Sequence, residues 1–318
     1  MAVRGDCIAC GTDAVAWRKL GRVFVPDGSR PWARAYASFP TVEVLSAERL
    51  RIYFTALDEH KNGRTGYVDV DAGNPLKLAE LSTEPVLDVG RAGDFDDSGA
   101  NAFSVLTRGR ERLLYYQGWQ HTTKAPYLIF TGLARSEDNG ATFRKHSPVP
   151  ILDRTREEPY MRAAPFVMHD NGALSMWYVS CTQWAMREGA MRYHVVIRTA
   201  RSDDGIRWEP HTQPCLEPAA PREYAVGRPC VLRENGRYRM WYSIRSFDRP
   251  YRIGYAESMD GRTWERVDHL AGIEPSESGW DAEMVCYPCV VQAGSRRYLF
   301  YNGNRHGATG FGVAEWEE

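Results

Sequence analysis

Five carboxylates occupy repeated places in this chain: Asp97 in "FDDSGAN", Glu158 in "REEPYMR", Glu223 in "PREYAVGR", and Asp281 with Glu283 in "GWDAEMV". Each lies 5 to 7 residues before the anchor of a recurring apolar stretch, which predicts that they ring one mouth of a repeated structure. Carboxylates gathered in one apolar-walled pocket repel, so at least one should keep its proton near neutral pH. A protonated acid facing an ionised carboxylate is the equipment for cleaving a glycosidic bond. Within "GDFDDSGANAF" the assignment goes to Asp97 rather than Asp96, because neighbouring side chains on an extended approach turn to opposite sides. The plainer reading of that stretch is a solvated turn, for which Asp and Gly are the usual residues.

Arginines supply a second constellation. Arg34, Arg162 and Arg228 precede apolar strands, while Arg245 and Arg305 follow the aromatic strands that come next, all towards the same mouth. A guanidinium grips a carboxylate or phosphate with two parallel hydrogen bonds, so the set fits an anionic group on a substrate. For each arginine the alternative is pairing with a neighbouring carboxylate. Trp119 and Trp184 fall on mouth loops where an exposed ring can stack on a sugar face, and His121, Asn304 and His306 fall on loops of the same kind. Tyr116, Tyr178 and Tyr242 sit inside strands and read as core. Two loop histidines on separate repeats do not make a metal site, and no H-E-x-x-H is present, so neither a metal nor a cofactor is expected.

What positions these residues is an internal repeat. Five apolar strands, "SFPTVEVL", "NAFSVL", "AAPFVM", "GRPCVL" and "CYPCVV", place Pro40, Phe103, Pro165, Pro229 and Pro288 at spacings of 63, 62, 64 and 59 residues. A polar turn and an aromatic strand follow each: "LRIYFTA", "LLYYQGW", "LSMWYVS", "YRMWYSI" and "YLFYNGN". A third strand follows in every unit, and three units run on into "SEDNGATF", "SDDGIRW" or "SMDGRTW", the first of which matches the Asp-box turn of sialidase-like propellers. Its aspartates read as structural acceptors of backbone N–H groups. Four strands in each of five units predict a five-bladed all-β propeller, with "AWRKLGRVFVP" near the N-terminus supplying the strand that the last unit lacks.

On this repeat and these carboxylates the sequence resembles the five-bladed furanosidase-like propellers: the glycoside hydrolase families of arabinanases, xylosidases and invertases, and their relatives the mannoside phosphorylases. The resemblance spans Trp17 to Trp316. In those families an Asp base, an Asp that tunes the acid and a Glu acid come from the inner ends of different blades. The resemblance implies Glu223 as the acid and Glu158 as the tuning carboxylate. The first blade departs from the pattern: "WARAYASFP" has Arg34 and no carboxylate, so Asp97 of the second blade must substitute or the reaction must differ. The reading is a glycoside-processing enzyme, hydrolase or phosphorylase, with Asp97, Glu158 and Glu223 as catalytic groups and Asp281 and Glu283 holding sugar hydroxyls. Two alternatives stay open. One is a sialidase-like enzyme whose acidic sugar is clasped by Arg34, Arg162 and Arg228. The other is a non-catalytic propeller that binds carbohydrate or protein.

Composition bounds the partners. With 40 basic and 41 acidic residues in 318, the net charge of −1 gives no global attraction to nucleic acid or an anionic membrane. No apolar run approaches a membrane span, and seven cysteines, an odd number, argue against a disulfide framework, so a cytoplasmic protein is expected. Cys7/Cys10 and Cys286/Cys289 are C-x-x-C pairs, but the second lies in a strand and reads as core rather than zinc ligands. The whole chain, residues 1–318, is expected to form one domain with a flexible tail at residues 1–12.

Overall fold

A computed structural model describes residues 16–187 and 189–317; the expected tail, with Cys7 and Cys10, lies outside the described residues. The chain enters on β1 (Ala16–Phe24) and then runs four times through an antiparallel meander. The first meander holds β2 (Ala35–Val44), β3 (Arg49–Leu57), β4 (Gly63–Asp71) and the short β5 (Leu78–Leu81). The second holds β6 (Gly99–Arg108), β7 (Glu111–His121), β8 (Tyr127–Ser136) and β9 (Arg144–Lys145). In the third are β10 (Met161–Asp170), β11 (Ala173–Arg187), β12 (Ala190–Ser202) and β13 (Glu209–Pro210), and in the fourth β14 (Glu223–Glu234), β15 (Arg237–Ser246), β16 (Arg252–Ser258) and β17 (Glu265–Arg266). Then come β18 (Cys286–Ala293), β19 (Arg296–Asn302) and β20 (Phe311–Glu317). Their fourth strand is β1, antiparallel to β20 with Trp17 opposite Trp316. The expected pairing of the two chain ends is thus observed. Lys19 on β1 secures it by donating to Asp281 at 2.7 Å.

The first strands of successive meanders touch in cyclic order: β2 with β6, β6 with β10, β10 with β14, β14 with β18, and β18 with β2. Each carries a bulge at the repeat anchor, and β2 and β14 carry a second nearer their start. In β10 the register steps from Ala163 opposite Val179 to Phe166 opposite Trp177, so β10 holds one residue more than its partner over that step, and β2, β6, β14 and β18 do the same. In the four units with proline, the residue before it adopts positive φ: Phe39 (59°), Ala164 (49°), Arg228 (53°) and Tyr287 (56°). Proline has no N–H to leave unpaired at the bulge. The recurring Pro therefore marks a device, and the odd side chains Phe39, Phe103, Ala164, Arg228 and Tyr287 all line one central cavity.

The Asp-box turns lie at the outer end of the meanders and latch them together. Asp260 accepts from the N–H groups of Arg262 and Thr263, each at 2.8 Å, and Asp204 does the same for Ile206 and Arg207. The carbonyl of the turn glycine then accepts from an aromatic side chain of the preceding meander: Gly140 from Tyr53, Gly205 from Tyr115, Gly261 from Trp177. Buried aromatic and aliphatic side chains fill the space between meanders, as in the cluster of Trp177, Val231, Tyr238 and Met240.

Candidate functional site

The central cavity has a volume of about 360 Å³ and opens where the first strands begin and the second strands end. This is the mouth that the repeat predicts. Its floor is the set of bulge residues. One wall comes from the first two meanders, with Ser38, Thr55, Asn101, Gln117, Trp119 and His121; the fourth and fifth contribute Arg228, Arg245, Tyr287 and His306. Trp119 lies flat across β6 because residue 99 is glycine: a Cβ there would stand 1.8 Å from the indole nitrogen.

The charges of the cavity do not balance. No carboxylate is among the described residues that line it. Arg228 is buried and reaches across the axis, donating to the carbonyls of Phe103 and Pro40, each at 2.7 Å, and to Thr41 Oγ1 at 2.8 Å. Its Nε has no partner, and burial lowers its pKa, opposed only by the neighbouring Cys289 and Cys230 thiols and the Tyr287 phenol. Arg245 is half-buried between the rings of Tyr193 and Tyr251, 4.9 and 4.8 Å from their centroids, and its buried Nε also lacks a partner. Burying a cation without an anion is costly, so a pair of them in one cavity favours an anionic occupant. In the same lining, Thr55 Oγ1 and Asn101 Oδ1 are buried and unpaired. At the rim, apolar surroundings first and the Arg245 charge second lower the pKa of His306, keeping it neutral at pH 7.

Of the expected site residues, the structure brings Trp119, His121, Arg228, Arg245 and His306 to this cavity. The expectation that the carboxylates ring it is corrected. Asp97, Glu158, Glu223 and Asp281 are each engaged within their own meander, and none of the five lines the cavity. Glu158 is buried, accepts from Tyr178 Oη at 2.9 Å, and pairs with Arg162 at 3.2 Å and Arg198 at 3.6 Å. Asp281 is buried between Tyr301 Oη at 2.9 Å and Lys19. Glu223 takes both ends of Arg266 at 2.8 and 3.0 Å, and Arg266 in turn binds Asp268, the acceptor of Tyr242 Oη at 2.5 Å. In the second meander the equivalent group is Asp96, not Asp97: Asp96 is buried, accepts from Tyr116 Oη at 2.8 Å and pairs with Lys145 at 2.7 Å. Asp97 caps a turn through Gly93 N and Ser98 Oγ.

The remaining residues also lie elsewhere. Arg34 is exposed and donates to the Gly28 carbonyl, and Arg162 donates to the Asp153 carbonyl beside its ion pair with Glu158, so Arg34, Arg162 and Arg228 form no common clasp. Trp184 packs edge-on against Tyr127 and Tyr193 rather than lining the cavity. Asn304 is buried as a clamp, accepting from Glu283 N at 2.8 Å and donating to the Gly279 carbonyl at 3.1 Å; Glu283 and Arg305 have exposed side chains. Sequence reasoning missed Tyr36, Thr55, Asn101, Tyr193 and Tyr287 as lining residues. Tyr287 carried a readable signal, the position just before a repeat proline. Thr55 and Gln117 also had one, since each follows the repeat aromatic, Phe54 or Tyr116, and so faces the other side of its strand.

The arrangement is that of an all-β protein of meanders around one axial cavity, a fold shared with solved structures of glycoside hydrolases. The chain resembles a glycosyl hydrolase from Bacteroides ovatus (TM-score 0.72, 15% identity, 95% of this chain and 93% of that one). It also resembles a thermostable family-43 glycoside hydrolase (0.63, 17%, 89% and 88%). A third likeness is to a structure from the GH130 family of mannoside phosphorylases, described as containing glycoside hydrolases that target beta-1,2 mannosidic linkages (0.72, 14%, 96% and 94%). At these identities the likeness establishes the fold. In sequence, the chain is 38% identical over 303 residues to the uncharacterized protein MT1551 of Mycobacterium tuberculosis (strain CDC 1551 / Oshkosh), across 95% of this chain and 100% of that protein, and equally to Rv1502 of strain H37Rv. The chain belongs to the family of these mycobacterial proteins. No protein-family model matches it.

Proposed function

We propose that the chain is a five-bladed, carbohydrate-active propeller enzyme that takes an acidic sugar, a sugar carboxylate or sugar phosphate, into its axial cavity. The observation that carries this reading is the presence in one cavity of Arg228 and Arg245, cations without a carboxylate partner, together with the unpaired Thr55 Oγ1 and Asn101 Oδ1. Arg245 would grip the anionic group with Arg228 beneath it, Thr55 and Asn101 would bind hydroxyls, and Trp119 would offer a ring face at the mouth. The glycoside-processing chemistry is suggested by the fold alone.

Paired-carboxylate cleavage needs two carboxyl groups roughly 5 to 9.5 Å apart about one bond. Asp97, Glu158 and Glu223 lie on separate meanders with partners of their own, which favours a bracing role for Glu158 and Glu223 and a turn-capping role for Asp97 over the catalytic role first expected of them. The sialidase-like alternative has no support, because its three arginines do not converge and the similar structures named above are of other classes. Binding without turnover is the second reading, favoured by the carboxylate-free lining. A panel of glucuronic acid, glucose 6-phosphate, glucose and their glycosides, assayed for both binding and product release, tests the proposal. Preference for the acidic members with product release supports the enzyme; preference without release supports the second reading; equal or absent binding of acidic and neutral members overturns both.

A further inference from the structure

We infer that the sugar in the axial cavity is one unit of a longer saccharide, and that the next unit lies in a groove beneath the β11–β12 hairpin. This rests on reading the axial cavity as a sugar site. β11 and β12 overrun their neighbours, pairing out to Arg187 opposite Ala190. Below the overhang is a second cavity of about 700 Å³, whose lining includes Gln183, Arg192, Tyr193, His194, Tyr224 and Phe247. Tyr193 lines both cavities, so a single ring forms their common wall. From there a course of ring contacts leads outward: Tyr193 meets Tyr224 at 5.9 Å between centroids, and Tyr224 meets Phe247 at 5.1 Å.

The groove has polar groups still to be satisfied. Arg192 stands 5.6 Å from the centre of the Tyr224 ring, has no ion pair among the described residues, and its buried Nε has no acceptor. Glu223 lines the same groove but is engaged by Arg266. Gln183 is exposed at the groove. A saccharide unit matches this lining: its hydroxyl and ring oxygens accept from Arg192 and Gln183, and its apolar face packs on Tyr224. A small anion would satisfy Arg192 but leave the aromatic course uncovered. A purely apolar group would bury Arg192 without an acceptor.

The test compares glucuronic acid with disaccharides that carry it at one end, titrated by calorimetry against the wild-type chain, Arg192→Gln and Tyr224→Ala. At least one disaccharide should bind the wild type about tenfold or more tighter than glucuronic acid, and both variants should lose most of that gain while binding glucuronic acid as before. Tyr224→Phe should retain it. If Tyr224→Ala fails to fold, the Arg192→Gln comparison decides. Binding of glucuronic acid with no gain for any disaccharide, or equal losses on both ligands in the variants, overturns the groove subsite and leaves the axial site standing. If neither glucuronic acid nor glucose 6-phosphate binds, the axial reading falls and the subsite with it.

Discussion

Ionised side chains stand in two settings in this molecule, and the contrast between them locates its function. In the meanders opposite charges are paired: a carboxylate before the first strand, a tyrosine hydroxyl from the second and a cation from an outer strand, as in Asp96–Tyr116–Lys145, Glu158–Tyr178–Arg198 and Asp281–Tyr301–Lys19. The fourth meander builds a variant in which Tyr242 uses Asp268 and Arg266 links it to Glu223. The first has none of this, and its tyrosine position is Phe54, packed against Trp32. In the axial cavity the guanidinium groups have rings, carbonyls and one hydroxyl around them but no carboxylate in the described lining. Recurrence of a charged residue in this repeat protein thus goes with bracing of the meanders that carry it, whereas the unmatched charge in one place is the ground for the proposed binding site.

The sharpest way to break this comparison is Asp281→Ala. It leaves Lys19 and Tyr301 Oη without their acceptor and loosens the strand that joins the chain ends, so urea unfolding should show a loss of about 3 to 5 kcal/mol. A loss below about 1 kcal/mol would remove the bracing role. Exchanging the tyrosine position sharpens the contrast between meanders. Tyr178→Phe should cost about 1 kcal/mol by removing a donor from Glu158, and Phe54→Tyr should also destabilise, by about 1 to 3 kcal/mol, because its hydroxyl would enter a site with no carboxylate. A stabilised Phe54→Tyr variant would show that the first meander is not different in kind.

In the cavity the expected signs separate stability from binding. Arg245→Met removes an unpaired cation, so the melting temperature should hold or rise while affinity for an acidic sugar falls about 10- to 100-fold. A large drop in stability with unchanged affinity would place Arg245 among the bracing groups. The smallest effect belongs to the outer turns. Backbone donation, from Thr263 first, lowers the Asp260 pKa to about 2 from an ordinary 3.8. A depressed folded-state pKa stabilises above the free value, so this contribution should be whole above about pH 4 and fade as the pH falls towards 2. Melting curves of the wild type and Asp260→Asn across that range should therefore converge at the acid end.

The repeat spacing, the strand character, the mouth and the pairing of the chain ends were all legible in the sequence, because each depends on local pattern and chain order. The direction of the carboxylates was not. Asp96 and Asp97 are adjacent, and which one enters the meander is settled by Lys145, 49 residues on in the sequence. The partners of Asp281 likewise come from both ends of the chain, Lys19 and Tyr301. Arg228 reached the cavity for a reason readable only in part: it precedes a repeat proline, but the bulge that turns it inward needs the pairing of β14 with β15. Arg162, superficially similar, stands two residues earlier in its repeat relative to proline and packs against Glu158 instead.

The central claim is that an acid group lodges at the unmatched arginines, and a crystal structure of the protein soaked in glucuronic acid tests it most directly. The predicted result is a carboxylate within hydrogen-bond distance of Arg245 beside Arg228, with sugar hydroxyls directed at Thr55 and Asn101. Ligand density confined to the Glu158 or Glu223 side of the strands, with the axial cavity holding only water, would contradict it.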